Sequence, residues 1–242
     1  MRNLFISDLH LMPERPDLAQ GFFDFVRTQA VGAAALYILG DFFDNWIGDD
    51  LMDPFQERVA EALAALAAAG TQIFVMHGNR DFLLGETFCR QAGCKLLPDP
   101  SLIELAGQRL LLLHGDSLCT GDRMYMRYRR LVRSPVLKSL FLRLPTSWRR
   151  GIARQLRTKS RGNRARSMGV YTDVSPDAIT AALAAYEADS MIHGHTHKPA
   201  VHNLAGGGRR WVLGDWGHQG WCLYHDEEGF RLEHFPIQSC ST

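Results

Sequence analysis

Val75-Met76-His77-Gly78-Asn79-Arg80-Asp81 closes the run Gln72-Ile73-Phe74-Val75-Met76 and breaks it at a glycine. An apolar run that short reads as a buried strand, with Gly78 as the tight turn at its carboxyl end. Open α/β sheets place ligands just beyond the carboxyl ends of their parallel strands. The stretch puts three unlike groups there: a neutral oxygen on Asn79, a charged fork on Arg80 and, on Asp81, a carboxylate expected to hold that fork in place.

The same grammar recurs on both sides of it. Leu4-Phe5-Ile6 ends at Ser7-Asp8-Leu9-His10, and Ala34 to Leu39 ends at Gly40-Asp41-Phe42-Phe43-Asp44. Arg109 to Leu113 runs into His114-Gly115-Asp116, and Ser190-Met191-Ile192 into His193-Gly194-His195-Thr196-His197. Helical segments separate the early strands: Pro16 to Val31 with Leu18, Phe22, Phe25 and Val26 at helical spacing, Pro54 to Ala69 bracketed by Pro54 and Gly70, and Gly85 to Ala92. Strands alternating with helices predict βαβ units and a parallel sheet. Short strands are also expected at Leu102–Leu105, Arg210–Leu213, Trp221–Tyr224 and Arg231–Phe235, with a helical stretch between His114 and Ala188. No internal repeat or low-complexity linker interrupts the 242 residues. The economical reading is one domain, 1–242, with a helical basic insert over roughly 120–168.

A hydrophobic fraction of 46% and a charged fraction of 22% are those of an ordinary soluble protein. The five cysteines (Cys89, Cys94, Cys119, Cys222, Cys240) are odd in number and form no C-x-x-C. That pattern argues for reduced thiols in a cytosolic protein, against a disulfide framework or a zinc ribbon. No run approaches the roughly 18 apolar residues of a membrane span, and the opening residues are too soon acidic for a signal peptide. A cytoplasmic location is expected.

The strand ends deliver Asp8 and His10, Asp41, Asn79, His114, then His195 and His197. In extended backbone, residues at i and i+2 point the same way, so Asp8 with His10, and His195 with His197, are each expected to flank one site. Carboxylate, amide and imidazole donors without thiolate suit Mn²⁺, Fe²⁺ or Zn²⁺. Seven ligands are too many for one ion and right for two. His77 and His193 sit on the strand side of a glycine and read as structural; His202, His218, His225 and His234 lack such a setting.

Asp8-x-His10, Gly40-Asp41-x-x-Asp44, Gly78-Asn79, His114 and Gly194-His195-x-His197, in that order, resemble the signature of the calcineurin-like binuclear metallophosphoesterases. The resemblance implies a sandwich of two mixed β-sheets flanked by helices. It implies one metal on Asp8, His10, Asp41 and His197, and a second on Asn79, His114, His195 and the shared Asp41. It also implies hydrolysis of a phosphoester or phosphoanhydride by a metal-bridging water that attacks in line.

One position departs from that pattern. Most of the superfamily has His directly after the Asn, where it protonates the leaving oxygen; this chain has Arg80. Arginine stays charged and is a poor general acid, but it grips phosphate oxygens in a fork. A simple alkoxide leaving group would miss the acid, whereas a phosphate leaving group, with a second pKa near 6, would not. Arg80, as a phosphate clamp, tilts the expectation from diester to pyrophosphate cleavage.

Between Arg123 and Thr172 stand fifteen Lys or Arg and no Asp or Glu. Without those fifteen the remaining 12 basic residues face 26 acidic ones, so the net +1 conceals an acidic body near −14 carrying a basic segment. Val136, Leu137, Leu140, Phe141 and Leu144 form an apolar stripe at helical spacing, continued by Trp148, Ile152 and Leu156. Basic and large apolar faces on one helix suit a membrane interface or a lipid; a helix hairpin with a private core is the other reading. Nucleic acid is a rival use of the charge, but aromatic platforms are thin here, so none is expected.

Longer matches narrow the resemblance: Tyr37 to Asp50, Gly78-Asn79-Arg80-Asp81-Phe82-Leu83-x-Gly85, His114 to Thr120, and Ile192-His193-Gly194-His195-Thr196-His197-x-Pro199. They are similar to the family of lipid A biosynthesis that splits the pyrophosphate of UDP-linked diacylglucosamine. That likeness implies attack on the α-phosphorus, release of UMP and an acylated sugar 1-phosphate, two Mn²⁺, and a location peripheral to the cytoplasmic face of the inner membrane; a monomer is expected. It implies a helical cap over the site in the basic insert, and substrate contacts at Asn79, Arg80, Asp122, Ser160 and His195. The family's two further contacts fall on Arg164 and Ser167, with Asn163 and Arg166 one step earlier as the alternative pair. Other classes stay open at this point: a cytosolic nucleotide or dinucleotide pyrophosphatase or phosphodiesterase of the same superfamily, or a metal-keeping scaffold that only binds.

Overall fold

A computed structural model of the chain describes residues 1–155 and 174–238. β1 (Asn3–Ile6) is buried along its whole length. Its side chains divide by parity: Leu4 and Ile6 pack among the apolar residues of α1 (Pro16–Phe25), while Phe5 turns to a second cluster with Leu112, Ile192 and Trp211. A strand covered on both faces reads as a continuous apolar run, not an alternating one.

β2 (Ala35–Leu39), β3 (Gln72–Met76) and β4 (Lys95–Leu97) extend β1 in parallel. β10 (Gln219–Asp226) and β11 (Gly229–Pro236) extend its other side antiparallel, giving a six-stranded sheet in the order β11-β10-β1-β2-β3-β4. The second sheet runs β5 (Ser101–Leu105), β6 (Gln108–Leu113), β7 (Ser190–His193), β9 (Arg209–Val212) and β8 (Ala200–Asn203). There β6, β7 and β9 are parallel, with β5 and β8 antiparallel at the edges. The helix–strand alternation therefore yields parallel pairs in both sheets. Three of the antiparallel pairs, β5–β6, β8–β9 and β10–β11, are sequence neighbours joined by short reversals; Ala106 and Gly107, both at positive φ, make the two-residue hairpin of the first.

The two sheets bury their inner faces against each other, with Leu110 and Leu112 of β6 opposite Phe5, Leu39 and Met76. The alternate residues Leu111 and Leu113 pack with Ile179 of α7 (Pro176–Tyr186) on the outside. α1, α2 (Pro54–Ala68) and α3 (Glu86–Ala92) cover the outer face of the first sheet. The α2 start is set by Pro54 and a capping box: Asp53 accepts from the Phe55 and Gln56 amides, and Gln56 accepts from the Asp53 amide. After α1 the expected helix continues to Ala30 as a π turn.

Between β6 and β7 lie α4 (Arg123–Val132), α5 (Pro135–Leu142) and a helical α6 (146–155). Neither α4 nor α5 buries a residue fully. Their basic side chains nevertheless reach the body. Lys138 Nζ donates to the Phe82 carbonyl at 2.6 Å. Arg149, 2% exposed, donates to the Ile47 carbonyl and clamps both carboxylate oxygens of Asp50.

Candidate metal centre

Backbone hydrogen bonds join the strand-end loops in pairs, and the Asp81 and Asp41 side chains tie in the loop after β3. The Asp8 amide donates to the Gly40 carbonyl, that of His10 to the Asp41 carbonyl, and that of Gly194 to the His114 carbonyl, at 2.9–3.1 Å. Asp8, His10, Asp41, His195 and His197 all take positive φ, between 49° and 69°. The extended i, i+2 geometry expected for Asp8 with His10 and His195 with His197 is therefore not the one used. Left-handed backbone, uncommon outside glycine, turns these side chains inward instead, and strain of this kind clusters at functional sites.

Two glycines make the convergence possible. A Cβ on Gly78 would stand 2.1 Å from the Asp41 amide nitrogen and Oδ1; one on Gly194 would stand 2.1 Å from Ser7 Oγ and 2.2 Å from Asp8 Oδ2. Gly78 is needed for this close approach as well as for its turn.

The donors are spaced for cations. Asp8, His10 and His197 bring one ligand atom each within 4.8 Å of one another, and so do Asp8, Asp41 and His114. Asp41 lies between the groups, with Oδ2 at 3.9 Å from His10 Nδ1 and Oδ1 at 3.8 Å from His114 Nε2. Asp8 Oδ2 accepts from Ser7 Oγ (2.6 Å) and the His195 amide (2.8 Å), while the buried Oδ1 faces His197 Nε2 at 3.3 Å. A buried carboxylate oxygen facing an imidazole nitrogen across that gap is a pair of ligand atoms that a divalent cation can join by displacing the shared proton. The imidazoles are backed as ligands require: His114 Nδ1 is 3.0 Å from the Leu39 carbonyl, which keeps the proton there and aims Nε2 at Asn79 Oδ1 (3.1 Å). Asp215 stands 3.3 Å behind His197 Nδ1. The residues present fit two divalent ions.

Without metal the protons fill in. Burial opposes charge on His114, but the carboxylates of Asp41, Asp8, Asp116 and Asp99 outweigh it and push its pKa up to about 9. His197 likewise rises against burial to about 10 through Asp215 and Asp8. Asp41 is raised to about 7, by burial first and by the Asp81 and Asp8 charges, against the pull of His114 and Arg80. Burial and the His114 charge lower His195 to about 3. Asp8 is held well below the carboxylate range, since its histidine neighbours overcome the effect of burial.

Arg80 reaches the rim of this cluster, but Asp81 does not hold it. Asp81 is fully buried and accepts from the amides of Phe42 (2.7 Å) and Gly78 (2.7 Å), tying two ligand loops together. The fork is held by Asp44: Nη1 donates to Asp44 Oδ1 at 2.8 Å, and Nε lies 3.7 Å from Asp41 Oδ2. The motif Gly40-Asp41-x-x-Asp44 contains that residue, and its spacing was the available signal. Asp122 caps α4, accepting from the Tyr125 amide at 2.8 Å. Ser160, Arg164 and Ser167, and the alternatives Asn163 and Arg166, lie outside the described residues. His77 and His193 face the Leu84 carbonyl, and the Gly194 carbonyl with Arg210, respectively, as structural residues would. Sequence reasoning also missed Asp99, Asp116, Tyr125, Arg129 and Arg133; acids of the body answering an acid-free insert were the signal for them.

A sandwich of two mixed sheets with carboxylates, imidazoles and an amide gathered at its strand ends defines a phosphoesterase that binds divalent metals. The chain belongs to the calcineurin-like phosphoesterase family, whose model matches residues 1–199. Among curated proteins it is 52% identical over 237 residues to the UDP-2,3-diacylglucosamine hydrolase of Stutzerimonas stutzeri, covering 97% of this chain and 99% of that one. It is 53% identical over 240 residues to the protein of the same name from Azotobacter vinelandii, covering 98% and 100%. Of solved structures, a novel archaeal phosphodiesterase superposes with a TM-score of 0.52 at 11% identity, covering 98% of this chain and 100% of that one, a likeness of fold alone.

Proposed function

We propose that the chain hydrolyses the pyrophosphate bond of UDP-2,3-diacylglucosamine, giving UMP and 2,3-diacylglucosamine 1-phosphate, a step of lipid A biosynthesis. Relatives of that name at about half identity over nearly the whole length support this. The observation that carries it beyond the family is Arg80, a charged fork held by Asp44 at the rim where most relatives of the wider superfamily place a histidine. It can bind phosphoryl oxygens and cannot protonate an alkoxide, which suits a leaving group that is itself a phosphate.

Asp8, His10, Asp41 and His197 would hold one ion, and Asn79, His114, His195 and Asp41 the other. Two Mn²⁺, with Fe²⁺ or Zn²⁺ able to use the same ligands, would supply Lewis-acid binding of the phosphoryl group and an activated water. The chain's own residues do the rest. The Leu39 carbonyl and Asp215 fix the faces that His114 and His197 present, and Arg80 orients the substrate phosphates. α4 to α6 are the helical cap over the site, within one domain spanning 1–242. Val136, Leu140 and Trp148, at 67%, 53% and 63% exposed, form with the surrounding arginines a surface for acyl chains and peripheral contact with the cytoplasmic face of the inner membrane. No described helix is long and apolar enough to cross a membrane.

The test is UMP release by the Mn²⁺-loaded protein from UDP-2,3-diacylglucosamine, from soluble UDP-sugars and from an aryl phosphodiester. The acylated substrate should turn over fastest. Equal turnover of soluble UDP-sugars would refute the lipid assignment, and faster cleavage of the diester would refute the pyrophosphatase reading.

A further inference from the structure

Tyr125 and Arg129 of α4, with Arg133 at its C-terminal cap, sit at successive turns and grip two carboxylates behind the site. Tyr125 Oη donates to Asp116 Oδ2 at 2.9 Å. Arg129 Nε donates to the same oxygen at 2.8 Å, and its Nη2 to Asp99 Oδ2 at 2.9 Å. Arg133 Nη1 donates to Asp99 Oδ2 at 2.7 Å, and its Nη2 lies 3.3 Å from Asp116 Oδ2 and donates to the Gly78 carbonyl at 3.2 Å. These acceptors belong to the ligand loops or bond to them. Asp99 Oδ1 accepts the His114 amide at 3.2 Å, Asp116 follows His114 by two residues, and Gly78 precedes Asn79. The Tyr125 ring also lies along His195, with centroids 6.2 Å apart and planes at 25°.

The donors that α4 touches or backs are thus Asn79, His114 and His195, one of the two proposed ligand groups. Asp8, His10 and His197 receive none of these contacts among the described residues. An arginine fork that meets two carboxylates and a carbonyl at once fixes their relative positions in a way a single charge does not.

We propose that Arg133, with Arg129 beside it, is a positioning residue that sets the geometry of the Asn79–His114–His195 metal site from the cap helix. The two metal sites are then unequal in this respect: the contacts of α4 and its C-terminal cap reach the Asn79–His114–His195 site. This rests on the two-ion reading above, and the wild-type titration tests that reading separately.

The experiment strips the full chain with chelator and titrates it with Mn²⁺, following binding by calorimetry and by electron paramagnetic resonance. Wild type should take two ions with spin coupling; failure to do so would sink the two-ion reading itself. In Arg133→Met one ion should bind as in wild type and the other about 10- to 100-fold more weakly, as for other outer-shell changes. The coupled signal should fade at limiting Mn²⁺, and kcat should fall with little change in KM. Arg133→Lys keeps a charge and the fold but cannot bridge three acceptors, so it should show the same selective loss in smaller measure. Two equally tight ions in a folded Arg133→Met would overturn the proposal. So would an Arg133→Lys indistinguishable from wild type in metal binding when Arg133→Met does not fold, or a rise in KM alone.

Discussion

Asp44→Asn removes the charge that holds Arg80 while preserving shape and one acceptor oxygen. The pair is short, at 2.8 Å, and its side chains are only 17% and 8% exposed, so solvent screens it far less than a surface ion pair. A charge-assisted hydrogen bond in such a setting contributes about 1.5–3 kcal/mol. If that energy serves to keep the fork aimed, its loss reappears in the transition state: about 2 kcal/mol corresponds to roughly a 30-fold fall in kcat/KM. The assay is UMP release under kcat/KM conditions for wild type, Asp44→Asn, Arg80→Ala and the double variant. The Asp44→Asn loss should shrink once Arg80 is absent, because the part of it that acts on the phosphates through the fork disappears. Equal losses in both backgrounds would refute the anchoring role. A rise in kcat/KM would show that Asp44 competes with substrate for the arginine instead of presenting it.

Gly194→Ala should cost about 1–3 kcal/mol in overpacking and displace the Asp8 carboxylate, lowering both the thermal midpoint and the Mn²⁺ stoichiometry; an unchanged midpoint with two bound ions would refute the close-approach argument. A second expectation concerns pH. His114 and His197 hold protons with pKa values of about 9 and about 10 in the folded, metal-free chain, against 6.5 as the ordinary value. Their stabilisation is complete below about pH 6.5 and is lost as pH rises through 9 and 10. Thermal midpoints in chelator should therefore fall across that window, and Mn²⁺, which displaces those protons, should flatten the decline. A chelated protein that gains stability between pH 7 and 10 would contradict the assignment.

The strands that carry ligands were legible because each is covered on both faces, so β1, β2, β3, β6 and β7 stand out as apolar runs ending in Gly, Asp, Asn or His. The resemblance to calcineurin-like enzymes rested on those ends and holds. What the sequence left open is set by tertiary contact. Nothing local distinguishes Asp81, which bonds amides under the site, from Asp44, which holds Arg80. The i, i+2 spacing of Asp8 and His10 correctly placed them together but for the wrong backbone, since Asp and His, though enriched in left-handed φ, adopt it at only a minority of positions. The charge of the basic segment suggested an outside partner, yet Arg129, Arg133, Lys138 and Arg149 spend theirs on the body. Charge segregation along a chain records internal docking as readily as recognition.

The candidate ligands come from both sheets: Asp8, Asp41 and Asn79 follow strands of the first, and His114, His195 and His197 follow strands of the second. Bound ions would rivet the sandwich across its seam, and the rivet can only seat while the sheets keep their mutual registry. A change deep in the seam, such as a cavity at Leu112 or Ile192, can then surface as weakened metal retention. Variants with an untouched site and a lost activity should be sought there, in the packing between the sheets.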